Sequence, residues 1–129
     1  VIASGPLDFR RFTAAYGISF RTAGKRAHLD PMAQAPQVAA RTTGADPTRL
    51  FLLTDPADTA VPAKFQTSYV GAIEAAGGKV LQITTGARGA EHHALIEKAL
   101  FVTRDCIAGK NDAAIEKAWK GRGGDDLPR

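Results

Sequence analysis

The sequence predicts an α/β fold in which parallel strands carry helices on both faces. Short apolar runs alternate with segments of helical periodicity, and the stretch RLFLLT at 49–54 is almost wholly apolar. Such a run is typical of a strand buried on both faces of a parallel sheet. Only three strands can be counted, at 1–4, 49–54 and 80–84, whereas an average sheet has roughly five to six. The 129 residues therefore predict a single partial domain whose sheet is completed by another segment.

The first part of the domain, residues 1–48, predicts one strand and two helices. The run VIAS at 1–4 is closed by Gly5-Pro6, which indicates a strand with a sharp exit. Residues 7–16 predict a short helix, and residues 17–30 a loop. Asp30-Pro31 predicts the start of a helix over 31–41, because Asp can cap a helix and Pro is tolerated in its first turn.

The second part, residues 49–108, predicts a strand–helix–strand–helix unit. After the strand at 49–54, Pro62 opens a helix that extends to about residue 76 and stops at Gly77-Gly78. The strand at 80–84 leads into a glycine-rich loop over 85–90, and a long helix is expected over 92–108. The apolar stripes of the two helices are Phe65, Tyr69 and Ile73 in the first and Leu95, Ala99, Val102 and Cys106 in the second.

The third part, residues 109–129, predicts a final helix and a polar tail. Asn111-Asp112 caps a helix that extends to about Lys120 and turns Ile115, Ala118 and Trp119 inward. The remaining GRGGDDLPR has no helical or strand pattern.

Composition excludes several classes of partner. The formal net charge of +4 comes from scattered residues without interleaved aromatic side chains, so nucleic-acid binding is not expected. Cys106 is the only cysteine, which excludes an intrachain disulfide and a Cys-based zinc site. No apolar run approaches the roughly 20 residues that a membrane span requires. No cofactor motif or convincing metal site is found, and the cellular compartment is left open.

Two acids and two histidines follow consecutive predicted strands. Asp55 and Asp58 come directly after the strand at 49–54, while His92 and His93 follow the next strand and its glycine-rich loop. Because open α/β sheets gather ligands at the carboxyl ends of their strands, these side chains are expected to meet. A carboxylate can orient an imidazole, whose pKa near neutrality suits it to accept and release a proton.

The acid segment resembles that of the α/β-hydrolases. In that family an apolar strand is commonly followed by His-Gly, two residues, Asp, two residues and Val-Pro. In this sequence Asp58 is followed by Val61 and Pro62, and Thr54-Asp55 stands where His-Gly usually stands. The resemblance therefore favours Asp58 over Asp55 as the acid.

The base segment and the start of the chain add to this resemblance. The family's histidine is often followed by one residue and then Leu or Phe, as His93 is followed by Ala94-Leu95, and this favours His93 over His92. The opening VIASGPLDF is similar to the strand that follows the nucleophile helix, and the family often places an Asp-Pro helix start before the acid strand. The resemblance covers roughly residues 1–108 and about the second half of the family fold.

What the resemblance implies is the acid–base half of a serine hydrolase. Asp58 and His93 would be catalytic, and a small ester or amide would be cleaved through an acyl-enzyme without a cofactor. The Gly-x-Ser-x-Gly elbow is absent, and Ser4, Ser19 and Ser68 do not stand in such a motif. The nucleophile and oxyanion hole are therefore expected from a preceding segment or a companion chain. Residues 7–48 lie where the family places substrate-facing helices.

Two alternatives stay open. A hydrolase-like domain without an elbow could serve as a non-catalytic interaction or dimerisation module that covers its open sheet edge, in a homo-oligomer for example. A receiver-like or flavodoxin-like domain that uses Asp55 fits the pattern less well, because its N-terminal strands and acidic pocket are absent.

Overall fold

The computed structural model describes residues 2–3, 5, 7–17, 30–84, 87–95 and 97–121. The elements in these ranges are, in chain order, β1 (Ile2–Ala3), α1 (Phe9–Ala15), α2 (Pro31–Arg41), β2 (Phe51–Thr54), α3 (Lys64–Ala75), β3 (Leu81–Thr84), β4 (Ala87–Arg88), β5 (Ala94–Leu95), α4 (Glu97–Ile107) and α5 (Asp112–Gly121). Most of the predicted loop at 17–30, the polar tail beyond residue 121 and the side chain of Trp119 lie outside the described residues.

The three predicted strands form one parallel sheet in the order β1-β2-β3. In the register, Leu52 of β2 faces Ile2 on one side and Gln82 of β3 on the other. All four residues of β2 are buried, as the apolar run at 49–54 predicts for a central strand. The α/β class is confirmed at this level, with parallel strands and intervening helices.

Helices cover both faces of the sheet because successive residues of β2 point to opposite sides. Phe51 and Leu53 face one core and Leu52 the other. The first core joins β2 and β3 to α4 and α5 through Ile83, Ala99, Val102, Cys106 and Ile115. The second joins β1 and β2 to α2 and α3 through Leu7, Ala35, Ala39, Tyr69, Val70 and Ile73.

The helix starts follow the capping signals in the sequence. The carboxylate of Asp30 accepts from the backbone N–H of Met32 at 3.1 Å, so α2 begins at Pro31 as predicted. Asn111 accepts from the N–H of Ala114 at 2.8 Å and caps α5 in the same way. The predicted inward stripe of α3 is confirmed, with Phe65, Tyr69 and Ile73 all buried.

Helices α2 and α3 approach closely where α3 ends. A Cβ atom built on Gly78 would lie 2.7 Å from Ala39 Cα, 2.8 Å from Ala39 Cβ and 2.7 Å from Ile73 Cγ2. Ala39 and Ile73 are buried in the same core. Gly78 is therefore required by contact, whereas the preceding Gly77 is favoured by its positive φ of 83°.

The predicted helix over 92–108 is wrong at its start. Helix α4 begins at Glu97. Residues 94–95, which were predicted to be helical, instead pair antiparallel with residues 87–88, which lie inside the predicted glycine-rich loop. The hairpin β4–β5 is fixed by residues distant in sequence, since Thr59 N–H donates to the Glu91 carbonyl at 2.9 Å. Local periodicity contains no information on such contacts.

The carboxyl end of α4 carries a buried ion cluster and the single cysteine. Asp105, 3% exposed, lies 3.2 Å from both the Lys110 ammonium and the Arg104 guanidinium. Burial by itself raises the pKa of the Asp105 carboxyl, but hydrogen bonds and charge from Lys110 and Arg104 outweigh it and leave that pKa below its ordinary value. Burial raises the pKa of the Cys106 thiol.

Within the described ranges, no helix combines the length and apolar character needed to cross a bilayer.

Candidate functional site

Two loops at the carboxyl ends of neighbouring strands form the candidate site. The acid loop, residues 55–63, follows β2, and the histidine loop, residues 89–93, joins the hairpin strands that follow β3. Because β2 and β3 are parallel and adjacent, both loops leave the sheet at the same edge, where open α/β sheets place their ligands.

The structure brings the predicted acid and base together. The distance from His93 Nδ1 to Asp58 Oδ2 is 2.8 Å, across 35 residues of sequence. The Asp58 side chain is 1% exposed, whereas the His93 ring is 43% exposed. Because an ionised carboxylate can only accept, Nδ1 is the donor in this pair. The proton on Nδ1 leaves Nε2 of the neutral ring as the basic nitrogen.

The spacing of Asp58, Val61 and Pro62 has a local physical reason. Asp58 Oδ1 accepts from the backbone N–H of Val61 at 2.8 Å, as an Asp does at the start of a helix. The backbone N–H of Asp58 donates to the Asp55 carbonyl at 3.0 Å and closes a turn. One carboxylate oxygen is thus held by the loop itself, which aims the other at the imidazole.

A second acid–histidine pair lies beside the first. Asp55 Oδ2 is 3.4 Å from His92 Nδ1, and the carboxylate is again buried while the ring is half exposed. Asp55 Oδ2 also accepts from the N–H of Ala87 at 2.9 Å, and Oδ1 accepts from the N–H of Ala57 at 2.8 Å. From the sequence alone, Asp55 and His92 are alternatives to Asp58 and His93 as acid and base. The structure shows that each acid pairs with a different histidine.

The backbone of His92 is in the left-handed region, with φ of 52°, and it is the one non-glycine residue with positive φ in the described part of the chain. For an L-residue with a Cβ this conformation costs roughly 1–2 kcal/mol. Its N–H donates to the Gly89 carbonyl at 3.1 Å. The surrounding contacts therefore hold the turn in a conformation that His does not favour.

Further contacts connect the acid loop to its surroundings. The Thr59 hydroxyl donates to the Glu91 carbonyl at 3.3 Å, in addition to the backbone bond to the same oxygen. On the other side, the Tyr16 hydroxyl donates to the Ala60 carbonyl at 2.9 Å, which connects the end of α1 to the acid loop. Sequence reasoning missed these residues, and the hydroxyl groups of Tyr16 and Thr59 alone gave no signal of them.

Of the three serines in the sequence, the one that the structure describes does not join this site. Ser68 lies in α3 and donates to the Lys64 carbonyl at 2.9 Å, as helix serines do. Ser4 and Ser19 lie outside the described residues. Among the residues that the structure describes, no three His, Cys, Asp or Glu side chains converge as a metal site requires.

A cleft of about 430 Å³ lies at the opposite end of the sheet, where β2 and β3 begin. Its charged lining includes Arg49, which is paired with Asp112 at 2.7 Å. The described residues that line the cleft include no histidine, and the cleft lies across the sheet from the paired loops. The chemistry of this molecule therefore points to the carboxyl edge and not to the cleft.

Comparison of the chain with protein-family models, curated proteins and solved structures gives no significant match. The function is therefore inferred from the geometry of the two loops.

Proposed function

We propose that this chain supplies the acid and base of a serine hydrolase of the α/β-hydrolase type, which cleaves a small ester or amide. The observation that carries the proposal is the 2.8 Å contact between His93 Nδ1 and the buried Asp58 carboxylate. A buried acid that orients a half-exposed imidazole is the arrangement that Ser-His-Asp catalysis requires. The order Asp…His along the chain is that of α/β-hydrolases.

Each residue has a defined role in the proposed reaction. His93 Nε2 takes the proton of the serine hydroxyl while the serine oxygen attacks the carbonyl carbon of the substrate. Asp58 stabilises the imidazolium that results. The same Nε2–H then protonates the leaving alcohol or amine as its bond to the carbonyl carbon breaks. In the second half, His93 Nε2 takes a proton from water as the water oxygen attacks the acyl carbon. The Nε2–H then returns that proton to the serine oxygen as the bond between this oxygen and the acyl carbon breaks, which releases the acid and restores the serine.

The serine and the oxyanion hole come, in this proposal, from polypeptide outside residues 1–129, in the same protein or on a companion chain. Ser68 is a helix residue, and neither Ser4 nor Ser19 has the glycine neighbours of a nucleophile elbow. The sheet offers a place for the missing strand, because within the part of the chain that the structure describes β1 pairs with β2 alone in the order β1-β2-β3. A strand added beside β1 would bring an elbow to the same carboxyl edge as Asp58 and His93.

The test combines active-site labelling with a pair of His93 variants. The native assembly that contains this chain is treated with a fluorophosphonate probe, which labels activated serines, and is analysed by intact mass spectrometry. Hydrolysis of p-nitrophenyl acetate is measured on the same samples. His93→Ala removes the ring. His93→Asn keeps a donor at the position of Nδ1, since Asn Nδ2 is the same number of bonds from Cβ, but has no Nε2.

We expect the label on a serine within Gly-x-Ser-x-Gly outside residues 1–129. Both variants are expected to lower kcat by about 10⁴-fold or more, because triad members act as a unit. His93→Asn should retain the wild-type urea midpoint more closely than His93→Ala, since it keeps the bond to Asp58. Hydrolysis that survives in both variants, or an assembly without a labelled serine, would overturn the proposal.

A second candidate function, a non-catalytic association module, is favoured by the outer surface of α4. Leu100 and Ile107 are 59% and 78% exposed, and their seven-residue spacing places them on one face of the helix. Sedimentation of wild type and Leu100→Glu distinguishes the candidates. A concentration-dependent dimer that the substitution dissociates, together with an unlabelled native assembly, would favour this module over the hydrolase.

A further inference from the structure

We propose that Asp55 and His92 form a positioning pair, which holds the β4–β5 hairpin against the acid loop and thereby keeps His93 within reach of Asp58. This inference rests on the proposed function, because it assigns the pair a role in orienting the catalytic base. Neither residue is required to touch the substrate.

The hairpin has little structure of its own to hold the histidine loop. Strands β4 and β5 have two residues each and, among the described residues, pair only with one another. An isolated two-stranded hairpin is marginally stable at best in water. The position of His93 therefore depends on contacts between the histidine loop and the acid loop.

Asp55 is placed to supply those contacts. Its Oδ2 atom lies within 2.9 Å of Ala87 N at the first strand of the hairpin and within 3.4 Å of His92 Nδ1 at its turn. Its Oδ1 atom is occupied by Ala57 N. One buried carboxylate thus contacts the first strand of the hairpin and its turn, and its own orientation is fixed by the acid loop.

The backbone conformation at position 92 indicates that His92 does more than form the turn. With φ of 52°, this position favours glycine or asparagine, which reach the left-handed region with less strain. Glycine would suit this backbone but has no side chain that could reach Asp55. Histidine places Nδ1 3.4 Å from Asp55 Oδ2 in a backbone conformation that strains a residue with a Cβ atom.

The two pairs are coupled through adjacent residues. Asp55 and Asp58 are joined by the bond from the Asp58 N–H to the Asp55 carbonyl, and His92 and His93 are consecutive. Each histidine presents Nδ1 to one of these carboxylates, at 3.4 Å and 2.8 Å. Anchoring the ring of His92 therefore restricts where the backbone can place the ring of His93.

The test compares His92→Gly with His92→Asn. Both residues tolerate the left-handed backbone, so neither variant is expected to lose the fold. Asparagine keeps a donor, Nδ2, at the same number of bonds from Cβ as the Nδ1 of histidine, whereas glycine has none. Asp55→Asn is the reciprocal variant, because an amide has a single acceptor oxygen and cannot bind Ala57 N, Ala87 N and the His92 ring together.

The primary readout is the tautomer of His93, measured by two-bond ¹⁵N–¹H correlation on residues 1–129. Wild type is expected to show the Nδ1–H form. In His92→Gly and Asp55→Asn the Nε2–H form should become populated, and His92→Asn should restore most of the Nδ1–H form. In the active assembly, His92→Gly should lower kcat by about 10- to 100-fold with little change in KM, as a misplaced base does.

An unchanged His93 tautomer in both His92→Gly and Asp55→Asn would overturn the positioning pair. Equal effects of the glycine and asparagine substitutions at position 92 would also overturn it, because the donor would then be irrelevant. Failure of the proposed function can be distinguished from failure of the positioning pair. If the assembly has no hydrolase activity, the NMR comparison of the His93 tautomers can still be made, and it decides whether the pair exists.

Discussion

Gly78 provides a direct test of the packing between α2 and α3. In Gly78→Ala the new methyl would lie 2.7 Å from Ala39 Cα and from Ile73 Cγ2. Ala39 Cα belongs to the backbone of α2 and Ile73 is fully buried, so neither atom can move into solvent. Relief of the overlap requires α2, or the segment that carries Gly78 after the end of α3, to shift.

The cost follows from this overlap. Overpacking a well-packed core typically costs about 1–3 kcal/mol. The matched control is Gly71→Ala, at an exposed position inside α3 where an added Cβ meets nothing within 4 Å. There alanine should stabilise the helix by about 0.5–1 kcal/mol, because glycine loses more backbone entropy on folding. The same chemical change is thus expected to act in opposite directions at two sites in one region.

Urea unfolding followed by circular dichroism measures both effects. With an m-value of about 1.5 kcal/mol/M, a loss of about 2 kcal/mol lowers the midpoint by about 1.3 M. Gly71→Ala should raise the midpoint by a few tenths molar. A Gly78→Ala midpoint at or above that of wild type would refute the close approach of α2 and α3.

Three further outcomes follow from the burial and charge described above. Asp105→Asn should be less stable than wild type at pH 7, and the difference in urea midpoint should shrink as the pH falls below about 3.9. The reason is that a carboxyl with a lowered pKa contributes stability that is lost as it becomes protonated. A difference in midpoint that does not depend on pH would contradict the Lys110 pairing. Leu53→Ala should cost about 2–5 kcal/mol in urea unfolding, whereas the exposed Leu100→Ala should stay within about 0.5 kcal/mol of wild type; equal effects would contradict the assigned core. Cys106 should react with Ellman's reagent only in urea, since its side chain is buried in the folded protein; fast labelling of the native protein would show that the thiol is accessible.

The sequence predicted the elements whose signals are local. The apolar run of β2 requires burial on both faces, and Asp30 provides the cap that starts α2, so these elements depend little on the rest of the chain. The meeting of Asp58 with His93 was predictable as well, because two parallel neighbouring strands end at one edge. Whether the pair is catalytic stays a prediction.

The hairpin and the second pair were not predictable in the same way. Residues 92–95 fit the helical period of α4, but contacts from Thr59, Asp55 and Asp58 hold the hairpin and its turn against the acid loop instead. These contacts connect residues more than 30 positions apart. The two aspartates and two histidines are visible in the sequence, but the sequence pattern presents them as alternatives for one acid–base pair and not as two pairs that form at the same time.

Because the hairpin β4–β5 is small, the segment that carries His93 is held less firmly than the segment that carries Asp58. Asp58 follows a strand that is buried throughout, whereas His93 is carried by a hairpin with two residues in each strand. Segments with few buried contacts open at a lower free energy than the global unfolding of the domain. The acid thus belongs to the part of the molecule that unfolds last and the base to a part that opens early, so the pair can separate and re-form while both hydrophobic cores stay intact.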